Sequence, residues 1–277
     1  MSLRINTNLQ AMAAQRYLTV NHDAQNRALE RLASGARINR AGDDAAGLAI
    51  SEKLKASIRS MRQASRNAND GISMIQTAEG AMNEIGNILI RMRELSVQGS
   101  SDTIGDTERA FIDKEVVALK DEINRISRST EFNGTKLLDG SSPPLDIQIG
   151  INNNPGLDRF VYDAPSRNTT LEGLGLESVN ITNREGAQAN LAQLDSAITK
   201  LAENRASLGA LQNRLGSALN NLGIYRENLE AANSRIRDTD MAEETSDLAK
   251  QNILSQANIS VLSQANQNPQ AVLKLLQ

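Results

Sequence analysis

The residues most able to do chemistry lie in the stretch INRAGDDAAGLAIS at positions 38–51, where Asp43 and Asp44 stand side by side. Two carboxylates can serve as acid and base on one bond when they converge across a cleft, but neighbours on a helix point about 100° apart. A phosphate-binding loop would need a lysine and a serine or threonine after the second glycine, where this chain has leucine and alanine. A third interpretation is structural: Gly42 ends one helix, and Asp43 or Asp44 caps the start of the next.

The composition excludes most other catalytic and cofactor sites. The 277 residues contain no cysteine and a single histidine, His22, which rules out disulfides, thiolate metal sites, paired-histidine zinc sites and most histidine-based triads. His22 lies in a polar stretch and is expected to be a solvated surface side chain. We therefore expect no enzyme activity, no catalytic residue, no metal and no cofactor.

Charge and hydropathy exclude two classes of partner. The formal net charge is −3, which provides no basic field for nucleic acid or for an anionic membrane surface. No run approaches about 18 apolar residues, so no segment is expected to span a membrane, and the N terminus lacks the apolar core of a secretory signal peptide. Taken alone, these features would predict a cytoplasmic protein, an inference that fails for proteins exported by a dedicated secretion apparatus.

Apolar residues recur every seven positions in two long segments, which is the pattern of helices packed as coiled coils. Residues 44–98 and 191–236 are predicted to form two helices of similar length that lie side by side, and residues 112–126 a third helix. The seam positions are Leu54, Met61, Ala68, Ile75, Met82 and Leu89 in the first segment and Leu194, Leu201, Leu208, Leu215, Leu222, Leu229 and Ile236 in the second.

Three glycines, Gly209, Gly216 and Gly223, follow seam leucines and are also spaced by seven. Because glycine costs about 1 kcal/mol in a helix interior, either another backbone approaches closely along this line or the spacing is accidental. The first alternative predicts a tight backbone contact at these glycines.

The central segment changes from helical to strand periodicity. Leu145, Ile147, Ile149 and Ile151 alternate with polar residues or glycine, the turn sequence NNNPG follows, and residues 157–163 form a second strand candidate. We therefore predict a β-hairpin followed by a loose segment.

The C-terminal end of the chain is poor in charge. From residue 251 to the last residue the only charged side chain is Lys274, and the others are mostly aliphatic side chains among Asn, Gln and Ser. A helix with so few charges is poorly solvated on its own. At a chain end, this composition predicts burial against other copies of the same protein.

Several long motifs resemble those of bacterial flagellin. Residues 33–54 (ASGARINRAGDDAAGLAISEKL) and 63–85 (QASRNANDGISMIQTAEGAMNEI) are similar to the family's N-terminal signature, and residues 266–277 (NQNPQAVLKLLQ) to its C terminus. Residues 129–140 (STEFNGTKLLDG) resemble the family's entry to its hairpin. The resemblance covers most of the chain outside the hairpin region, and the sequence looks like a minimal, core-only flagellin.

This resemblance implies a mainly α protein, a long antiparallel coiled-coil helical rod with a small β-hairpin region and paired terminal helices. Residues 1–43 and 237–277 would form the terminal coiled-coil domain that lines the filament channel, folding on assembly. Residues 44–236 would form the helical rod domain, with a β-hairpin region at about 140–185 on the outside. Copies would stack into the secreted, extracellular flagellar filament, a self-assembling structural polymer that serves bacterial motility.

The resemblance also implies specific partners. The main partner is a further copy of the chain in a helical homopolymer, and flagellar cap and hook-associated proteins would contact the filament. Export would use the flagellar type III apparatus, and a flagellin export chaperone would hold the C-terminal helix beforehand. The alternative is a flagellar hook–filament junction protein, which shares the terminal signatures but does not polymerise extensively. The signature at residues 65–80 and the LLQ end favour flagellin.

The motif RMRELSVQ at residues 91–98 resembles the flagellin segment that an innate immune toll-like receptor recognises. By matching positions, Arg91 and Leu95 fall on the family's main receptor contacts, and Glu115 falls on an acidic contact from the next helix. The same face packs between protofilaments in the family. The resemblance therefore leaves two roles open for these residues, receptor recognition or an inter-protofilament contact alone.

Overall fold

The computed structural model describes the backbone of residues 7–275 and the side chains of residues 7–267. The chain divides into two compact units, which we call the terminal unit (residues 1–58 and 227–277) and the central unit (residues 59–226). Residues 1–6 and 276–277 of the predicted terminal helices lie outside the described part of the chain.

Long helices dominate the described residues, and the strands are few and short, which confirms the predicted fold class. The helices are α1 (Leu9–Ser34), α2 (Ala45–Gly99), α3 (Asp106–Ser129), α4 (Pro155–Asp158), α5 (Leu171–Leu174), α6 (Arg184–Arg237) and α7 (Met241–Leu275). The strands are β1 (Glu131–Phe132), β2 (Thr135–Lys136), β3 (Leu145–Gln148) and β4 (Arg159–Tyr162).

The parts of the predicted heptad seams that lie within the central unit supply much of its hydrophobic core. Each seam residue from Met61 to Leu89 of α2, and from Leu194 to Leu215 of α6, is buried. The third helix adds apolar side chains to the same core: Ile112, Val116 and Ile123. Because full burial of one aliphatic side chain stabilises a fold by about 1.5–3 kcal/mol, these seam residues contribute strongly to the stability of the central unit.

Within the central unit, α2 and α6 run antiparallel. Arg93 Nε donates a hydrogen bond to Asp195 Oδ1 at 2.6 Å. A Cβ atom added at Gly86 would stand 3.5 Å from the side chain of Leu201. Since residue numbers fall along α2 as they rise along α6 between these two contacts, the helices point in opposite directions.

A buried arginine holds the turn between α2 and α3. The guanidinium of Arg109 donates to Gly99 O at 2.9 Å, to Ser101 O at 2.8 Å and to Asp106 Oδ1 at 2.9 Å. The first acceptor is the carbonyl of the last residue of α2, where a helix leaves carbonyl groups without internal partners. The second lies two residues further along, in the turn itself. Charge-assisted hydrogen bonds of this kind are among the stronger ones, so Arg109 fixes the course of the turn.

The predicted β-hairpin is formed by β3 and β4, which pair antiparallel with Ile147 opposite Phe160. Its connection contains α4, which begins at Pro155, a residue whose fixed φ suits the first turn of a helix. The hairpin lies on α2, because Asn67 Nδ2 donates to Gln148 O at 3.1 Å.

A second, smaller hairpin lies outside the predictions. Strands β1 and β2 pair across Asn133 and Gly134, whose φ angles are +50° and +77°. An Asn-Gly pair with positive φ at both residues is the preferred two-residue hairpin connection. The signal was therefore present in the sequence, in the stretch EFNGTK.

In the terminal unit α1 packs against α7, which confirms the predicted pairing of the terminal helices. Asn8 Nδ2 donates to Ala265 O at 2.8 Å, and Gln25 Nε2 donates to Asn252 Oδ1 at 2.7 Å. Because residue numbers fall along α7 as they rise along α1 between these two bonds, the two helices run antiparallel.

The first terminal helix is shorter than predicted. Helix α1 ends at Ser34, and the N–H of Gly35, at φ +69°, donates to Arg31 O at 2.8 Å. Glycine favours this capping position because it has no Cβ to oppose a left-handed backbone. The prediction that Gly42 ends the preceding helix is therefore wrong, and Gly42 lies in the turn that leads into α2.

The predicted tight backbone contact along α6 is not made within one copy of the chain. A Cβ atom added at Gly209, Gly216 or Gly223 would meet no atom of the described residues within 4 Å.

Candidate assembly and recognition surfaces

The two adjacent carboxylates of residues 38–51 perform different structural tasks. Asp44 Oδ1 accepts a hydrogen bond from the N–H of Gly47 at 2.8 Å, the geometry of a cap at the start of α2. Asp43 Oδ2 instead accepts from the N–H groups of Asn39 at 3.1 Å and Arg40 at 2.9 Å, which closes the preceding turn. Both carboxylates are thus engaged by backbone donors, an arrangement suited to a helix joint.

The backbone hydrogen bonds have an electrostatic consequence for Asp43. They lower the pKa of its carboxyl below the usual value, with the N–H groups of Arg40 and Asn39 as the largest causes and the charges of Arg31 and Arg40 as smaller ones. A carboxylate held ionised in this way is a poor proton donor near neutral pH.

In the terminal unit, the break between α6 and α7 lies beside the break between α1 and α2. Ala36 and Asp238 form an isolated antiparallel β-bridge. Arg37 N–H donates to Arg237 O at 2.7 Å, and Thr239 N–H donates to Gly35 O at 3.0 Å. We call these paired segments, residues 35–44 and 238–240, the joint. Sequence reasoning identified only its first half, because a two-residue bridge has no periodicity.

Arginine side chains tie the joint to the helices around it. Arg37 Nη2 donates to Ile236 O at 2.9 Å, one of the last carbonyls of α6. Arg237 Nη1 donates to Glu52 Oε1 of α2 at 2.5 Å. The hydrogen bond from Arg237 is the main cause of a lowered pKa at Glu52, and the charge of Lys55 adds to it.

The α1–α7 pair exposes an unusual number of large apolar side chains. Those of α1 are Leu9, Met12, Tyr17, Val20 and Leu29, and those of α7 are Met241, Ile253, Leu254, Ile259 and Val261. Contiguous exposed apolar surface marks an interaction site in a soluble protein. The α1–α7 pair is therefore the strongest candidate in the described chain for a surface that other molecules cover.

The structure separates the three residues predicted to contact a receptor. Arg91 Nε donates to Glu115 Oε1 at 2.9 Å, and both side chains are about half exposed, at 49% and 44%. Leu95, in contrast, is 2% exposed and belongs to the core of the central unit. A molecule touching this surface would meet Arg91 and Glu115, whereas Leu95 is buried.

Arg91 makes a second ion pair with a residue of its own helix, α2. Arg91 Nη1 also contacts Glu94 Oε2 at 3.2 Å. The hydrogen bonds to Glu115 and Glu94 raise the pKa of Arg91 above its ordinary value, with Glu115 the largest cause. The surface therefore carries one fixed positive charge flanked by two carboxylates.

The remaining residue that the sequence singled out for chemistry is the single histidine, His22. His22 is exposed, and its Nδ1 is 3.1 Å from the side-chain amide of Asn26. No group of three or more His, Asp and Glu side chains among residues 7–267 could hold a metal ion. Over the same part of the chain, no helix is long and apolar enough to cross a membrane.

Two family models match the chain on either side of the hairpin region. Residues 5–143 match the bacterial flagellin N-terminal helical region, and residues 191–276 match the bacterial flagellin C-terminal helical region. A flagellin of Halalkalibacterium halodurans is 48% identical over 274 residues, which cover 98% of this chain and 99% of that protein.

Two solved structures are similar to the chain. The crystal structure of Bacillus cereus flagellin matches with a TM-score of 0.51 and 34% identity, covering 57% of this chain and 88% of that one. A protein of Vibrio parahaemolyticus described as flagellar hook-associated matches with a TM-score of 0.60 and 13% identity, covering 71% of this chain and 100% of that one. At such low identity the second likeness concerns the fold alone.

Proposed function

The chain belongs to the bacterial flagellin family, and from that premise we propose that its α1–α7 pair is the part of the subunit that lines the filament channel and drives assembly. The protein is a structural subunit that polymerises into the extracellular flagellar filament, and it is not an enzyme. The hook–filament junction alternative has less support, because the near-full-length relative is itself a flagellin.

The roles that we propose for the two parts of the chain follow the domain boundaries predicted from the sequence. Residues 1–43 and 237–277 form the terminal coiled-coil domain that lines the channel, and residues 44–236 form the rod, with the hairpin region of about 140–185 on the outside. The observation that carries this proposal is the exposed apolar surface of the α1–α7 pair. A pair of helices that leaves Leu9 and Ile253 67% and 66% exposed gains stability when other copies cover it.

The composition of α7 supports the channel-lining role. Residues 251–267 carry no charged side chain. Amide and hydroxyl side chains hydrogen-bond water without attracting charged chains strongly, whereas a densely charged wall would hold an exported chain of opposite sign. A weakly charged lining therefore suits a conduit for unfolded subunits.

We also propose the remaining partners that the family implies. Flagellar cap and hook-associated proteins contact the filament ends, and the type III apparatus exports the chain. A flagellin export chaperone covers the C-terminal helix before export, and the exposed apolar side chains of α7 are a suitable surface for it.

For the surface of Arg91 and Glu115, we propose receptor recognition in the monomer and contact between protofilaments in the filament. Arginine side chains at interface centres often contribute strongly to binding, and Arg91 is held in place by Glu115 and Glu94. Leu95 is buried in the core of the central unit, so we leave it out of the contact surface that we propose.

Seeded elongation tests the assembly role. In the variant Ile253→Asp, a carboxylate would be buried at the subunit interface, which costs several kcal/mol when it is unpaired. We expect electron microscopy to show almost no growth of this variant on sheared wild-type filament seeds. Leu157→Asp is the matched control, because Leu157 is 76% exposed but lies in the hairpin region. Normal growth of Ile253→Asp, or equal loss of growth in both variants, would contradict the proposal.

A further inference from the structure

The tip of the small hairpin formed by β1 and β2 presents an asparagine directly before a glycine. Asn133 is the only asparagine of the chain that a glycine follows. Both residues are exposed. Within the described part of the chain, neither the side-chain amide of Asn133 nor the backbone N–H of Gly134 has a hydrogen-bond partner. The two groups that must meet for an asparagine to react with its own backbone are therefore both unengaged.

An asparagine in this position can lose its side-chain amide without an enzyme. The Gly134 nitrogen attacks Cγ of Asn133 and gives its proton to the solvent, and the bond from Cγ to the amide nitrogen breaks, so that ammonia leaves and a cyclic succinimide forms. Water then opens the ring. Attack at Cγ gives aspartate, and attack at the backbone carbonyl carbon gives isoaspartate, in which the main chain runs through Cγ. The net reaction converts an amide and water into a carboxylate and ammonium.

The surroundings of Gly134 leave room for the attack. A Cβ atom added at this glycine would meet no described atom within 4 Å. Because glycine itself has no Cβ, nothing on residue 134 crowds its nitrogen when the Asn133 side chain turns towards it. The position thus combines an exposed amide, an unhindered nucleophile and access for water.

The short ladder of this hairpin allows its tip to open. Succinimide formation fixes the backbone at Asn133, so the closed turn must first relax. Strands β1 and β2 form only two residue pairs, Glu131 with Lys136 and Phe132 with Thr135. So short a two-stranded ladder is at best marginally stable, and such elements open locally without unfolding of the whole chain.

Other exposed asparagines of the central unit are engaged or blocked. Asn153 and Asn154 lie in the connection between β3 and β4. Asn153 Oδ1 accepts a hydrogen bond from Arg159 Nη2 at 2.5 Å, and Asn154 Oδ1 accepts one from the N–H of Gly156 at 3.2 Å. Asn154 also precedes Pro155, whose nitrogen carries no proton to lose. Asn153 is therefore a suitable internal reference for the reactivity of Asn133.

We propose that Asn133 is a site of spontaneous covalent modification, at which the folded chain converts a side-chain amide to a carboxylate through attack by the Gly134 nitrogen. The inference does not depend on the assembly role of the α1–α7 pair. Each event adds one negative charge to a chain whose formal net charge is −3. The isoaspartate product also lengthens the backbone of a two-residue turn, and because loop length selects the turn type, it disrupts the pairing of Phe132 with Thr135.

Peptide mapping in water enriched in ¹⁸O tests the proposal. The purified full-length chain is incubated at mildly alkaline pH and digested with trypsin, which releases residues 129–136 as one peptide. We expect this peptide to gain a carboxylate that contains solvent ¹⁸O and to separate into aspartate and isoaspartate forms. The amide of Asn153 should persist at least about tenfold longer. Equal persistence of both amides, or a product without isoaspartate, would overturn the proposal.

A substitution at the nucleophile tests the assigned attack. Gly134→Ala places a Cβ beside the attacking nitrogen, and we expect modification of Asn133 to slow at least about tenfold. Alanine is strained at the φ of +77°, but strain that opens the hairpin would speed the reaction rather than slow it. Gly175→Ala is the matched control, because Gly175 has a φ of +72° and an added Cβ there would also meet no described atom within 4 Å. This control should change the rate by less than about twofold, and equal rates in the two variants would contradict the mechanism.

A comparison with the unfolded chain tests whether the folded protein modifies itself. If the reaction required global unfolding, its rate would fall below the rate in concentrated urea by the unfolding equilibrium constant, about 10³-fold or more. We expect a smaller reduction, because opening of the hairpin tip is local. A reduction of about 10³-fold or more would overturn the claim that the folded chain is reactive.

Discussion

Arg237, at the last residue of α6, is joined to Glu52 of α2 although the two lie 185 positions apart in sequence. The bond spans the joint at which the chain leaves α6 for α7. The hydrogen bond from Arg237 is the largest cause of the lowered pKa of Glu52. Two carboxylates at this place, Glu52 and Asp43, thus have pKa values below their ordinary ones, and we expect the stability of the joint to depend on pH through them.

The sign of this dependence follows from the direction of the pKa shift. Since the folded-state pKa of Glu52 lies below its ordinary value of 4.5, the pair stabilises the terminal unit above about pH 4.5. This stabilisation is lost as the pH falls through the folded-state pKa. We expect filaments of Glu52→Gln to dissociate on heating at a lower temperature than wild type at pH 7, and at the same temperature at pH 2. Light scattering during heating measures the dissociation temperature. Glu84→Gln is the control, because Glu84 is an exposed carboxylate of α2 without an ion pair among the described residues. A difference that persists at pH 2 would mean that Glu52 acts by packing.

Removing the helix cap at Asp44 should destabilise the first turn of α2. Removing it in Asp44→Ala leaves the N–H of Gly47 without its acceptor at 2.8 Å, which costs about 1 kcal/mol. Amide hydrogen exchange in the first turn of α2 should then become about fivefold faster. Asn is an equally good cap, so Asp44→Asn should restore wild-type exchange. Fast exchange in both variants would show that charge at the helix end, rather than the cap, is what matters.

Removing the Arg91 side chain should weaken receptor recognition of the monomer. In Arg91→Ala the monomer loses an exposed guanidinium held by Glu115, and we expect the concentration for half-maximal toll-like-receptor signalling to rise at least about tenfold. A cell reporter assay measures this. Arg125→Ala is the matched control, because Arg125 is also an exposed arginine paired with a carboxylate, Glu122. Unchanged signalling by Arg91→Ala would leave only the inter-protofilament role.

Shortening a seam leucine of α6 should cost more stability where the leucine is more deeply buried. Leu208 is fully buried, so Leu208→Ala should lower the free energy of unfolding by about 2–5 kcal/mol. Leu222 occupies the equivalent seam position two heptads later but is only partly buried, so Leu222→Ala should cost less. Thermal unfolding followed by circular dichroism compares the two. Equal losses would show that burial in the seam does not determine stability.

Much of the fold could be predicted from the sequence. The seven-residue spacing of Leu194, Leu201 and Leu208 is a property of one helix face, so it identifies that helix and its buried side before any partner is known. The same applies to the alternation at β3. Helix α1 ends earlier than the sequence predicts, because the glycine that stops it is Gly35 rather than the more conspicuous Gly42, which lies in a turn.

The candidate surfaces were less predictable. Arg91 and Glu115 could be placed on matching positions by resemblance, but the sequence did not reveal that Leu95 is buried, since heptad and non-heptad leucines look alike. The anchoring role of Arg109 has no sequence signature either, because its acceptors are backbone carbonyls, which every residue possesses.

Residue types and their spacing along the chain were enough to predict the long helices, the hairpin at residues 145–162, the scarcity of charge from residue 251 onward and the family. These are properties of neighbouring residues, and propensity, periodicity and charge act over a few positions along the chain. Only the tertiary structure decided that Ala36 meets Asp238 and that Arg237 reaches Glu52. Such contacts join residues far apart in sequence, and they arise only when packing of the apolar seams brings those residues together.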